Sequence, residues 1–122
     1  MNKIICNSIE FVFVTEFAHM VSGQITLNPD AEWRNLNATE KPVYRAEIKQ
    51  ADSGPTKEET VTVTTRNDSS AVLKLCSNFP VILRLKTDSS TFLVGTIRYP
   101  AITEISSDEI HDNYTFKSKS TP

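Results

Sequence analysis

The chain has 122 residues, 39% of them apolar, and a formal net charge of -2. That is enough material for one β domain over residues 1–122 with a buried core, and too little for a second independent domain. The missing basic excess argues against nucleic acid as a partner, and the weak acidity argues against a disordered acidic chain.

At the start, Lys3-Ile4-Ile5-Cys6 imitates the opening of a lipoprotein signal. The apolar run is far shorter than the ~7–15 residues such a signal needs, and no window approaches the ~18 apolar residues of a membrane helix. The expected setting is the cytoplasm, without a membrane partner. Cys6 and Cys76 have no spacing that demands a disulfide, and read as two packed thiols.

Residues 3–16 alternate, with Ile9, Phe11 and Phe13 on one face and Glu10, Val12 and Val14 on the other. This predicts a long first strand with a kink or bulge at Asn7-Ser8. A second strand over 19–27, closed by Asn28-Pro29, follows too soon for a crossover helix and is expected antiparallel to the first. The polar stretch "DAEWRNLNATEKP" is a loop that carries the only tryptophan, Trp33, expected to pin it to the core or to a partner. "VYRAEIKQ" is a strand with Tyr44, Ala46 and Ile48 inward. "ADSGPTK" is a turn in which Gly54 supplies a positive φ. "EETVTVTTR" is a strand with Val61 and Val63 opposite a solvent-facing row of threonines.

The period then changes. Ala71, Val72, Leu75 and Cys76 recur at helical spacing, which predicts one short helix over 69–77, capped by Asn67 or Asp68 and stopped by Phe79-Pro80. "VILRLKT" and "TFLVGTIRY" form a hairpin about Asp88-Ser89-Ser90, with Gly95 marking a bulge or a close approach. "AITEISS" is a short strand, "SDEIHD" an acidic turn, and "NYTFKSKS" a last strand with Tyr114 and Phe116 inward; the tail "KSTP" is expected to fray. About seven or eight short strands and one helix predict an all-β fold, an antiparallel β-sandwich or a partly open barrel.

Chemistry-bearing motifs are absent. There is no nucleophile elbow, phosphate-binding glycine loop or zincin helix. A Cys76–His111–Asp112 constellation founders because adjacent strand residues point to opposite faces. His19 reads as a surface residue. Asp108, Glu109, His111 and Asp112 form the densest set of ligating types, but their spacing fits no calcium loop, and they read as a solvated turn. Arg84/Lys86 and Lys117/Lys119 give small basic faces, too few to make a platform for single strands in an acidic chain. No catalytic residue, metal or cofactor is therefore expected, and the protein is expected not to be an enzyme.

Three segments, "KPVYRAEIKQADSGPTKEETVTV", "FPVILRLKTDSSTFLVGT" and "YPAITEISSDEIHDNYTFKS", resemble small uncharacterised all-β proteins encoded among prophage and other mobile-element genes of bacteria. The resemblance covers about half of the chain and brings no functional residue with it. It implies a structural or accessory part of a phage-like particle, such as a tail or head–tail component. The expected function is thus a non-enzymatic structural or interaction protein that assembles with itself or with other particle components, Trp33 serving as an apolar anchor. The alternative is a small-ligand or carbohydrate-binding β module, with Trp33, Tyr44, Tyr99 and Tyr114 as the aromatic contacts.

Overall fold

A computed structural model describes residues 2–21, 24–27, 32–51, 54–68, 71–75, 79–96 and 99–120. The fold is all-β. In chain order the strands are β1 (Asn2–Ile5), β2 (Ser8–Phe13), β3 (Phe17–Val21), β4 (Gln24–Leu27), β5 (Arg34–Asn35), β6 (Val43–Ala51), β7 (Gly54–Arg66), β8 (Val81–Lys86), β9 (Thr91–Val94), β10 (Ile102–Ser107) and β11 (His111–Ser120). A 3-10 turn occupies Val14–Glu16, and the short helix α1 spans Val72–Leu75. One sheet has the order β1-β6-β7-β11-β10 and a second has β5-β2-β8-β9, all pairs antiparallel; among the described residues β3 and β4 form a separate two-stranded sheet.

The expected first strand is two strands in two sheets. At Cys6-Asn7 the chain leaves β1, in the large sheet, and enters β2, in the small one. Cys6 N–H still donates to Pro42 O at 2.8 Å, whereas Asn7 N–H donates to Lys86 O at 2.7 Å. A strand that changes sheets at a bend makes a corner between packed sheets. The expected strand over 19–27 is likewise a hairpin, because Val21 pairs with Gln24 and the chain reverses between them.

Two further links join the sheets. Segment 34–39 leaves β5 and reaches the large sheet, with Leu36 N–H on Ile9 O and Thr39 N–H on Thr64 O. Ala101 and Val81 exchange backbone hydrogen bonds of 2.8 and 2.9 Å. Gly95 lies in this corner at φ 89°, and a Cβ on it would meet Ala101 N at 3.1 Å and Val81 O at 3.5 Å, so the close approach requires glycine. Gly54 has φ 111° where the β6–β7 hairpin closes.

The core lies between the sheets. Ile9, Phe11, Leu83, Leu85 and Val94 face Tyr44, Val61, Val63, Tyr114 and Phe116. Each large apolar side chain buried here contributes about 2 kcal/mol. The alternation read from β2 and β8 is observed, but Val12 and Ile82, paired on the other face of the small sheet, are also fully buried. That face is therefore covered too. Along β6 burial fades from Tyr44 through Ala46 to Ile48, which shares their face but is 62% exposed. Lys119 and Ser120, expected to fray, pair with Glu58 and Lys57.

In the helical segment Leu73, 1% exposed, is a core residue that the helical spacing did not single out. Ala71 is half-buried, and Cys76 lies outside the described residues. Asn67 Nδ2 and the Asp68 N–H both donate to Asp112, and the Asp68 carbonyl accepts from Ala71 N–H at 3.2 Å.

Candidate interaction surface

The four aromatic residues expected to mark a binding surface lie apart. Tyr44 is a core residue: its ring packs edge-on to Phe92 at 5.1 Å and its hydroxyl donates to Glu59 Oε2 at 2.6 Å. Burial, and then the Glu59 carboxylate, push its pKa well above the usual phenol range. Tyr114 is 1% exposed and stacks on Phe116. Tyr99 is half-buried; its carbonyl accepts from Ser118 Oγ at 2.9 Å. Trp33 is half-buried beneath the Arg84 guanidinium, which lies 4.4 Å from the ring. Arg84 in turn grips Glu10 with two bonds, of 3.1 and 2.9 Å, and Lys86 adds a third cationic contact at 3.3 Å. The Arg84 hydrogen bond is the main reason the Glu10 carboxyl sits below the usual range. Trp33 thus pins its loop to the small sheet, and the four residues make no common aromatic face.

The acidic set near 108–112 divides. Asp108 closes the β10–β11 turn by accepting the N–H groups of Ile110 and His111 at 2.8 and 2.6 Å. Glu109 is exposed there. Asp112 departs from the expected solvated turn and is fully buried. It accepts from Ser107 Oγ at 2.7 Å, Asp68 N–H at 3.1 Å and Asn67 Nδ2 at 3.2 Å, and pairs with Lys74 Nζ at 2.9 Å. Burial opposes its charge, but Ser107, Lys74 and the Asp68 N–H together outweigh burial and hold the pKa below the usual aspartate value. It fastens segment 67–75, and with it Leu73, onto β11. Among the described residues no three His, Cys, Asp or Glu side chains are grouped to hold a metal ion. Cys6 is a buried free thiol whose pKa burial raises. The side chain of His19 and the whole of Cys76 lie outside the described residues.

The surface that sequence reasoning missed is the outer edge of β1. No described strand lies beyond it. Ile4 is 38% and Ile5 55% exposed there. Beside it opens a groove of about 510 Å³ lined by Ile4, Ile5 and Phe92 with Lys41, Asn7 and Asp88 on its walls. Ile4 pairs with Tyr44 and so shares the core-facing side, whereas Ile5 lies on the outer side with Val43. Two adjacent isoleucines, one on each side of an unpaired edge, were readable as a strand but not as an edge. Strand order depends on contacts remote in sequence.

No family model, curated protein or solved structure matches this chain. Among the described residues no helix is long and apolar enough to cross a membrane.

Proposed function

We propose that the protein works without catalysing a reaction, as a structural or interaction protein that assembles with itself or with a larger particle. The tail or head–tail component implied by the resemblance is the form of assembly this reading favours. The observation that supports it is the β1 edge, where unpaired backbone groups adjoin exposed Ile4 and Ile5. A strand edge of this kind is a template for strand addition, with main-chain hydrogen bonds giving affinity and side-chain pockets giving selectivity. The carbohydrate-binding alternative drew on exposed aromatic residues gathered on one concave face. With Tyr44 and Tyr114 in the core, no observation favours it.

The test is solution mass, by light scattering coupled to size exclusion across a wide concentration range. A closed oligomer, or a mass that rises with concentration, is expected. A constant monomer that also binds no component encoded beside it in the genome would refute the reading.

A further inference from the structure

The pairing registers fix which side chains share the outer face of the large sheet, opposite the core. Tyr44, Val61 and Phe116 point inward, so Arg45, Thr60 and Lys117 point outward, in one row with Lys3 of β1. Among the described strand residues of this face none is buried. Its cations are Lys3, Arg45, Lys49, Arg66, Lys117 and Lys119, and its carboxylates are Glu47, Glu58 and Glu104. That is a surplus of three positive charges on a chain of net charge -2, so the rest of the sequence carries -5. The surplus is uneven. Glu58 is held by Lys49 Nζ at 2.7 Å and Lys119 Nζ at 3.2 Å, with Glu47 directly opposite, so two carboxylates and two lysines balance there. Lys117 reaches Glu104 at 3.4 Å. Among the described residues no carboxylate comes within ion-pair distance of Lys3 or Arg45. Yet these two stand directly opposite each other. Cys6 N–H donates to Pro42 O, and hydrogen-bonded pairs alternate along the ladder, so Lys3 and Arg45 are a non-hydrogen-bonded pair with Cα atoms about 4.5 Å apart. Like charges so placed cost stability.

We infer that the Lys3–Arg45 pair is a recognition site for a carboxylate carried by a protein partner, on an acidic segment that lies across the outer face of the large sheet. This rests on the assembly reading above and names the chemistry of the partner. An arginine guanidinium takes a carboxylate with two parallel hydrogen bonds, and the Lys3 ammonium adds a further donor. The face already shows such an arrangement two residues along, where Glu58 sits between two lysines. A carboxylate brought from outside does for Lys3 and Arg45 what Glu58 does for Lys49 and Lys119, and removes the repulsion between them. Beside Arg45 the row continues with the Thr60 hydroxyl, in a depression of about 360 Å³ that Arg45, Thr60 and Lys117 all line, so the segment has a seat next to the pair. Phosphate polymers fit this face less well. Glu47, Glu58 and Glu104 interrupt any track of cations, no Phe, Tyr or Trp stands among the described outward residues to stack a base, and the rest of the chain repels polyanions. An anionic bilayer meets the same interrupting carboxylates.

The experiment titrates the full chain into fluorescein-labelled octaglutamate and follows fluorescence anisotropy at low ionic strength. Saturable binding is expected, weakened about tenfold by Lys3→Gln or Arg45→Gln and less than about twofold by Arg66→Gln, which removes the same charge from the far end of the face. Arg45→Lys, which keeps the charge and loses the fork, should fall between wild type and Arg45→Gln. A second readout needs no ligand. Lys3→Glu gives Arg45 the carboxylate it lacks, so it should raise the urea midpoint at unchanged slope and abolish octaglutamate binding. Equal losses from Arg45→Gln and Arg66→Gln would reduce the effect to net charge and overturn the site. So would an absence of octaglutamate binding, or a Lys3→Glu variant with a lowered midpoint. Tighter binding of octathymidylate, or of phosphatidylserine vesicles, than of octaglutamate at the same salt overturns the assignment to a carboxylate. Each of these results leaves the assembly reading standing on another surface, since that reading fails only by its own test of solution mass and neighbouring components.

Discussion

Strands β10 and β1 border the same five-stranded sheet, yet they end it differently. At the start of β10, Ala101 is bonded to Val81 of the other sheet, and beyond it the strand carries Thr103, Glu104, Ser106 and Ser107. Its exposed Ile102 stands opposite Lys117, which reaches Glu104 at 3.4 Å. β1 is likewise tied to the other sheet at one end, where Asn7 N–H donates to Lys86 O. Its exposed residues are Lys3, Ile4 and Ile5, and its end is a corner at which the chain simply changes sheets. Sealing and charge are the usual protections of a sheet edge against another chain. Both edges are tied to the other sheet at one end, but β10 adds a charged pair and polar residues, whereas β1 has a single lysine beside two isoleucines.

The largest expected effect comes from breaking the corner at which Ala101 meets Val81. Gly95→Val forces a branched side chain into a positive-φ position against Ala101 N and Val81 O. It should cost about 3 kcal/mol in urea unfolding, from strain and the lost corner. Next is Asp112→Ala, which removes the acceptor of Ser107 Oγ and of the Asp68 N–H and one of the two acceptors of Asn67 Nδ2, and leaves Lys74 unpaired; a loss of about 2 kcal/mol is expected. The same carboxylate sets a pH dependence. Its folded-state pKa is depressed, so its contribution is fully present above the unfolded value of about 3.9 and is lost as pH falls through the folded one. Stability of the wild type should therefore fall below about pH 4, and the Asp112→Asn curve should be flatter there.

A smaller effect of opposite sign is expected on the inner face of β10. The Thr103 hydroxyl is buried with no hydrogen-bond partner. Thr103→Val should raise stability by about 1 kcal/mol, read as a higher urea midpoint at unchanged slope. The smallest changes in stability, within about 0.5 kcal/mol, are expected from Ile5→Lys and Ile102→Lys, both on exposed sites. These two sharpen the contrast between edges, because Ile5→Lys should lower the solution mass and Ile102→Lys should leave it unchanged. Equal effects on mass would mean that the edges are equivalent.

Much of the fold is legible in the sequence because strand alternation and turn chemistry are local. Tyr114 and Phe116 inward, the turn at Asp88-Ser89-Ser90 and the constraint at Gly95 all follow from residues within a few positions. The kink at Asn7-Ser8 was legible as a break, but not as a change of sheet, since a change of sheet is defined by Pro42 and Lys86 far along the chain. Asp112 read as part of a solvated turn because its neighbours Asp108 and Glu109 are; its burial depends on Asn67, Asp68 and Lys74 closing over it. Tyr44 and Tyr114 were candidates for binding because an aromatic on a strand has the same local signature whether it faces a core or a ligand.

The sequence by itself therefore determined the class of fold, the placing of most strands and the face each side chain takes, since a period of two residues records those directly. Only the tertiary structure decided which faces are covered. It left Ile48 bare, buried Val12 and Ile82 on a second side, and made β1 and β10 the borders of the large sheet. The physical reason is that alternation fixes the direction of a side chain, whereas burial and edge status depend on what another part of the chain, or another chain, lays against it.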